Sequence, residues 1–161
     1  MVHTLKQVQI LPMSLDEAWR FFSNPANLNA ITPQDLSFRI ISELPEKVYA
    51  GLIIIYKINL FGTINQGWVT EITESHEPHY FVDEQRFGPY AFWHHKHFMK
   101  AVPNGVEVTD LVHYKLPMGW LGDVLGHWWV KRKLDEIFSY RRKKMQELFS
   151  GATSNYYNSV S

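Results

Sequence analysis

Between Leu36 and Leu116 the chain repeats one pattern, a stretch of strand-forming residues followed by a tight turn signal. The stretches are Leu36 to Leu44, Leu52 to Phe61, Ile64 to Glu74, His79 to Phe87, Tyr90 to Val102 and Val106 to Leu116. The turn signals between them are Pro45-Glu46-Lys47, Gly62, Glu77-Pro78, Gly88-Pro89 and Pro103-Asn104-Gly105. β-Branched and aromatic residues dominate such stretches because they pack well on a pleated surface. Strands joined by turns this short pair antiparallel, since a parallel pair needs a crossover of a dozen residues or more. One antiparallel sheet therefore dominates any fold open to this chain.

The flanks are different. His3 to Leu11 alternates Leu5, Gln7, Gln9 and Leu11 against Lys6, Val8 and Ile10, and reads as a first strand that Pro12 ends. Ser14 with Glu17 three residues later forms a capping box for a helix from Leu15 to Phe22. Asn24-Pro25 breaks that helix, and a short second helix runs from Ala26 to Ile31. After Pro117 and Gly119 a long helix extends from about Leu121 to Phe149, with Leu121, Leu125, Trp128, Trp129, Ile137, Phe138, Met145 and Leu148 as its apolar stripe. Gly122 and Gly126, one turn apart, permit close approach by the sheet or a ligand. Helices gathered at the ends of an antiparallel series specify an α+β layer. The expected architecture is a curved sheet of about seven strands wrapped around the long C-terminal helix, with a cavity between them. Residues 1–150 form a single expected domain, and the small polar tail 151–161 is expected to be disordered.

Composition removes several function classes. The formal net charge is +0 and no nucleic-acid reader motif occurs, so no nucleic-acid partner is expected. No cysteine is present, which excludes disulfides, thiol nucleophiles and thiolate metal sites. No transmembrane segment is expected, because the longest apolar run, Leu52 to Tyr56, is far below the roughly 18 residues a span needs. The start of the chain lacks a basic region followed by a long apolar run, so a cytoplasmic protein is expected. A phosphate-cradling Gly-rich loop, a Gly-x-Ser-x-Gly elbow and a dinucleotide fingerprint are all absent from the sequence.

The chemistry concentrates in Gly88 to Met99, GPYAFWHHKHFM. Strand alternation puts Trp93, His95, His97 and Met99 on one face. The same rule gathers Phe81, Asp83 and Gln85 on the preceding strand, Asp110, Val112 and Tyr114 on the following one, and Trp68 further along. Trp68, Phe81, Trp93, Met99, Val112 and Tyr114 are expected to give apolar contact to a ligand, and Asp83, Gln85, His95, His97 and Asp110 to orient its polar end. A mutually satisfied network that fixes the strands or orients the ligand is the favoured reading of the polar set. A catalytic alternative uses His95 or His97 as general base, oriented by Asp83 or Asp110. His95-x-His97 with Asp83 or Asp110 also has ligand types suited to a metal, although neither metal nor cofactor is expected. His94 should face the opposite side of the sheet, and His76, His79, His113 and His127 receive no role. Lys131-Arg132-Lys133 and Arg141-Arg142-Lys143-Lys144 read as a solvated helix face. Trp128 and Trp129 read as core, one of them available to floor the cavity.

Element order and local motifs together resemble the SRPBCC superfamily, the START-like and birch-pollen-allergen-like helix-grip proteins. The carrying residues are Phe81-Val82-Asp83-Glu84-Gln85, Gly88-Pro89-Tyr90, Trp93, His95, His97, Asp110, Tyr114, Leu116-Pro117-Met118-Gly119, Phe138, Tyr140 and Arg141. Within the superfamily, the chain looks most like bacterial ligand-binding members related to the cell-division-inhibitor group. The resemblance implies a hydrophobic cavity and a small hydrophobic or amphipathic partner, hence a carrier or sensor more readily than an enzyme. It leaves open a cyclase, dehydratase or hydrolase activity, and a protein-interaction module linked to cell division, with the protein partner unknown.

Overall fold

The computed structural model describes residues 1–59, 66–117 and 119–150. The expected turn at Gly62, the tail 151–161, Met118, the side chains of Leu121 and Leu125 and the surroundings of Gly122 lie outside what the structure describes. Seven strands form one antiparallel sheet: β1 His3–Leu11, β2 Arg39–Ile40, β3 Ile53–Ile58, β4 Gln66–His76, β5 Tyr80–Phe87, β6 Phe92–Val102 and β7 Gly105–Lys115. Their order across the sheet is β1-β7-β6-β5-β4-β3-β2. Helix α1, Leu15–Phe22, follows β1, and helix α2, Gly119–Ser150, follows β7. This is the α+β arrangement of a curved sheet with one long C-terminal helix.

Local chemistry explains the boundaries. Ser14 and Glu17 form the expected capping box on α1, which buries Ala18, Trp19 and Phe22. The expected second helix is a 3-10 helix, Pro25–Ile31, capped by the Asn24 side chain. The stretch Leu36 to Leu44 is not one strand. Gln34–Leu36 makes a further 3-10 turn, Ser37 takes a left-handed conformation (φ 46°), and only Arg39–Ile40 pairs as β2. Past it, Ile41 and Ser42 both donate to the Ile55 carbonyl, so the edge loses its regular ladder before Pro45. Gly105 (φ +134°) turns β6 into β7, where a Cβ would strike the Leu11 carbonyl of β1. Glycine is needed at that corner so that β1 can close beside β7.

The long helix buries only part of the expected stripe, keeping Phe138 and Met145 and leaving the tryptophans out. Val130, Leu134, Phe138 and Met145 face the sheet, whereas Trp128, Trp129 and Leu148 are exposed. At about 100° per residue, Trp128 stands about 200° around the axis from Val130. Arg132 lies over the Trp128 ring instead. At Gly126 a Cβ would meet Leu116 at an ordinary 3.8 Å, so the sheet does not demand glycine there.

The core is divided. One hydrophobic cluster joins α1 to Leu11, Val106, Met99 and Met145. The other joins Trp68, Tyr90, Trp93, Val112 and Tyr114 to Leu134 and Phe138 of α2. Between them, register places Asp83 opposite His95 and His97 opposite Asp110.

Candidate functional site

A cavity of about 180 Å³ opens between the two clusters. Ile54, Ile72, Phe81, Trp68, Trp93 and Phe138 give it an apolar wall, and Asp83, His95, His97 and Arg141 form its polar end. The Tyr56 hydroxyl and Thr70 Oγ1, 2.9 Å apart, satisfy each other on the same wall. Burial, followed by the Asp83 charge, pushes the Tyr56 phenol well above its ordinary range, so it stays protonated.

Antiparallel register builds the polar end. His95 and His97 project from one face of β6, each only 5% exposed. Their ring centroids lie 3.7 Å apart with a 40° tilt. Phe81 stacks on the outer face of His97 at 4.2 Å, and Phe138 meets His95 edge-on at 5.8 Å. The rings are therefore held by packing as well as by hydrogen bonds.

Each carboxylate engages both imidazoles. Asp83 Oδ2 lies 2.7 Å from His97 Nε2 and 3.4 Å from His95 Nδ1. Asp110 Oδ1 lies 2.9 Å from His95 Nε2 and 3.0 Å from His97 Nδ1, the latter off the line a hydrogen bond requires. An ionised carboxylate only accepts, so Nε2–H of His95 donates to Asp110 and Nε2–H of His97 donates to Asp83. Arg141 of α2 reaches to 3.6 Å from Asp110 Oδ1, with its guanidinium over the Phe22 ring.

Burial pushes the Asp83 carboxyl up, but His95, the hydrogen bond from His97 and the Arg141 charge outweigh it and hold Asp83 below the usual range. The same contest at Asp110 is settled by Arg141 and then by both histidines, which hold it well below that range. Burial pushes His97 down, yet its contacts with Asp110 and Asp83 lift it above an ordinary histidine. His95 goes the other way, lowered by burial and by its neighbour His97 despite the two carboxylates. The two imidazoles are thus driven apart, His97 toward its charged form and His95 toward its neutral one.

The expected site residues separate into three groups. Trp68, Phe81, Asp83, Trp93, His95 and His97 line the cavity. Asp110 stands behind the imidazoles, beside Gln7, Gln9 and Arg141. Met99, Val112, Tyr114 and Gln85 are not on the cavity wall. Met99 is packed in the α1-side cluster, and Val112 and Tyr114 belong to the cluster that Leu134 and Phe138 of α2 fill. Gln85 falls past the last β5–β6 pair, Glu84 with His94, and between the two irregularities of the β4–β5 ladder. Its amide turns to the Gly88-Pro89 corner, donating to the Tyr90 carbonyl at 2.7 Å and accepting from the Tyr90 N–H at 3.2 Å.

Arg141 and Phe138 were not among the expected site residues. A signal existed for Arg141: it lies three residues beyond Phe138, on the stripe that continues to Met145. Its place in a run of four cations obscured that signal.

No protein-family model and no curated protein matches this chain. Solved structures do. Protein CV1439 from Chromobacterium violaceum aligns at TM-score 0.70 and 10% identity over 91% of this chain and 96% of its own. Ara h 8.0201 aligns at TM-score 0.60 and 15% identity over 91% of this chain and 99% of its own. A nucleoside-diphosphate sugar epimerase from Corynebacterium glutamicum aligns at TM-score 0.68 and 19% identity, over 89% of this chain but only 28% of the epimerase. At these identities the likeness establishes the fold, which is the helix-grip fold. Among the described residues, no helix is long and apolar enough to cross a membrane.

Proposed function

We propose that the chain is a carrier or sensor that takes a small, largely apolar molecule into the cavity between sheet and α2. Asp83, His95, His97 and Arg141 orient its polar end. The observation that carries this reading is apolar space of about 180 Å³ closed at one end by a polar cluster of carboxylates, imidazoles and one guanidinium. An apolar cavity of about 150 Å³ holds one benzene, so the fitting class is a single aromatic ring or a short acyl chain bearing one polar group. The helix-grip likeness to Ara h 8.0201 agrees with a fold built around such an interior.

Binding to the folded state alone raises its stability by about 2.7 kcal/mol at a hundredfold excess over Kd. A thermal-shift series of substituted phenols and short-chain carboxylic acids should therefore contain members that raise Tm, and Ile72→Phe, which narrows the cavity, should abolish the rise. A series without any shift, together with native mass spectra free of a co-purified organic molecule, would sink the reading.

A second reading is an enzyme of cyclase, dehydratase or hydrolase type. The opposed shifts of His95 and His97 favour it, since paired groups driven apart in pKa suit separate base and acid roles. It requires that a molecule recovered from the cavity be converted by the chain, and that His95→Gln lower conversion far more than it weakens binding.

A further inference from the structure

The geometry points to a divalent transition-metal site at the polar end of the cavity, with Asp83, His95 and His97 as its protein ligands and Asp110 as the group that orients both imidazoles. One ligand atom from each of the three residues lies within 4.8 Å of the other two. The candidate ligand atoms are the ones in contact, Asp83 Oδ2 with His95 Nδ1 and with His97 Nε2. Asp83 Oδ2 stands 3.4 Å from the first nitrogen and 2.7 Å from the second. Ligands held at about 2.0 to 2.2 Å from a common ion lie at about these separations from one another. Small side-chain movements would suffice to receive it.

The hydrogen-bond geometry shows where the ion belongs. His95 Nε2 carries the hydrogen given to Asp110, which leaves Nδ1 as a bare lone pair. That lone pair faces the Asp83 carboxylate across 3.4 Å, acceptor against acceptor. A cation in this gap turns an unfavourable contact into two coordinate bonds. His97 Nε2 must release its proton on coordination, as metal-bound imidazoles do. A neutral His97 bound through Nε2 carries its hydrogen on Nδ1, 3.0 Å from Asp110 Oδ1.

Asp110 consequently faces the outer nitrogen of both imidazoles. A carboxylate in that position fixes the tautomer and direction of metal-bound histidines, and its loss typically weakens metal affinity 10- to 100-fold. Arg141 compensates the Asp110 charge and leaves Asp83 to answer the ion. All three ligands line the cavity, whereas Asp110 lies behind them, so the remaining coordination positions open onto the apolar chamber. Two imidazoles and one carboxylate with open positions suit zinc or ferrous iron better than calcium or magnesium. With the ion in place the cluster carries one net positive charge, which favours a ligand ending in an oxygen anion such as a carboxylate or phenolate.

The full chain, stripped with chelator and titrated with Co2+ and then Zn2+, tests this. The expected result is one ion per chain, a visible Co2+ absorption, and its displacement by Zn2+. Asp83→Asn should weaken binding at least tenfold and Asp110→Asn by 10- to 100-fold, whereas His94→Ala on the opposite face should leave it unchanged. X-ray absorption at the zinc edge of the unsubstituted chain should count two imidazoles, a readout independent of how any variant folds. Less than one ion per chain, fewer than two imidazoles, or affinity that survives Asp83→Asn would overturn the site. Repeating the apolar ligand series with chelator present separates the two readings, because a metal-free chain that still shows the Tm shifts keeps its ligand role and loses only the metal.

Discussion

Histidines stand on both faces of β6, and the two faces use them differently. On the outer face His94 Nε2 lies 3.8 Å from Glu84 Oε1, with both side chains about one quarter exposed (23% and 26%). Arg86 competes for the same carboxylate at 3.3 Å. On the inner face His95 and His97 interlock with Asp83 and Asp110 at 2.7 to 3.4 Å, their side chains only 7% exposed. Both faces pair imidazole with carboxylate, but the outer contact is too long for a hydrogen bond. Access to water differs as well. An exposed ion pair is screened and contributes about 0 to 1 kcal/mol. Inside, the lower dielectric strengthens each contact and makes every unpaired group costly. The outer pair decorates a surface, whereas the inner set is a unit from which no member can be removed alone.

The largest expected break in this contrast is Asp110→Ala. It leaves the Arg141 charge and both imidazoles without their shared acceptor, and loss of one partner from a buried ion pair costs about 3 to 5 kcal/mol. Chemical denaturation of the metal-free chain would measure it, and a loss below 1 kcal/mol would show that water already enters the cluster. Gln85→Ala should rank second, at about 1 to 3 kcal/mol, because it deletes both half-buried hydrogen bonds to the Tyr90 backbone. It should leave ligand and metal binding intact, since Gln85 closes a corner beside the cavity. A lost binding signal in a folded Gln85→Ala chain would return the residue to the cavity wall. The smallest effect belongs to His94→Ala, expected within about 0.5 kcal/mol of the parent. A larger loss there would mean that the outer face carries a network of its own.

Period-two alternation was enough to bring Asp83, His95, His97 and Asp110 together, because β5, β6 and β7 are successive and their register is nearly unbroken around these residues. It failed at Gln85, where the β5–β6 pairing stops and alternation no longer says where a side chain points. It also could not separate Trp93, which lines the cavity, from Met99 and Tyr114 on the same face. That distinction depends on where α1 and α2 lie over the sheet, and a strand pattern carries no such information. On α2 hydropathy misled twice. Trp128 and Trp129 are exposed, and Arg141, at 12% side-chain exposure, is nearly enclosed. A guanidinium enters because Asp110 waits beneath it and the Phe22 ring covers its face. Neither partner is near Arg141 in sequence.

The hydrogen bonds of the inner cluster span only 14 and 15 residues of chain. The pairing of β1 with β7, and of Arg141 with Asp110, bridges longer stretches of sequence. Short loops cost less entropy to close, so contacts of this kind are favoured early when a chain folds. The polar cluster is thus expected to take shape in the β5–β6–β7 meander while its roof is absent and water still reaches it. Docking of α2 then drives that water out and delivers Arg141 to carboxylates already in position. Truncation of Val112 should accordingly slow folding, whereas truncation of Leu134 should chiefly speed unfolding, a distinction stopped-flow kinetics can read. The chamber is sealed as a late event in folding, around chemistry that the sheet has already assembled.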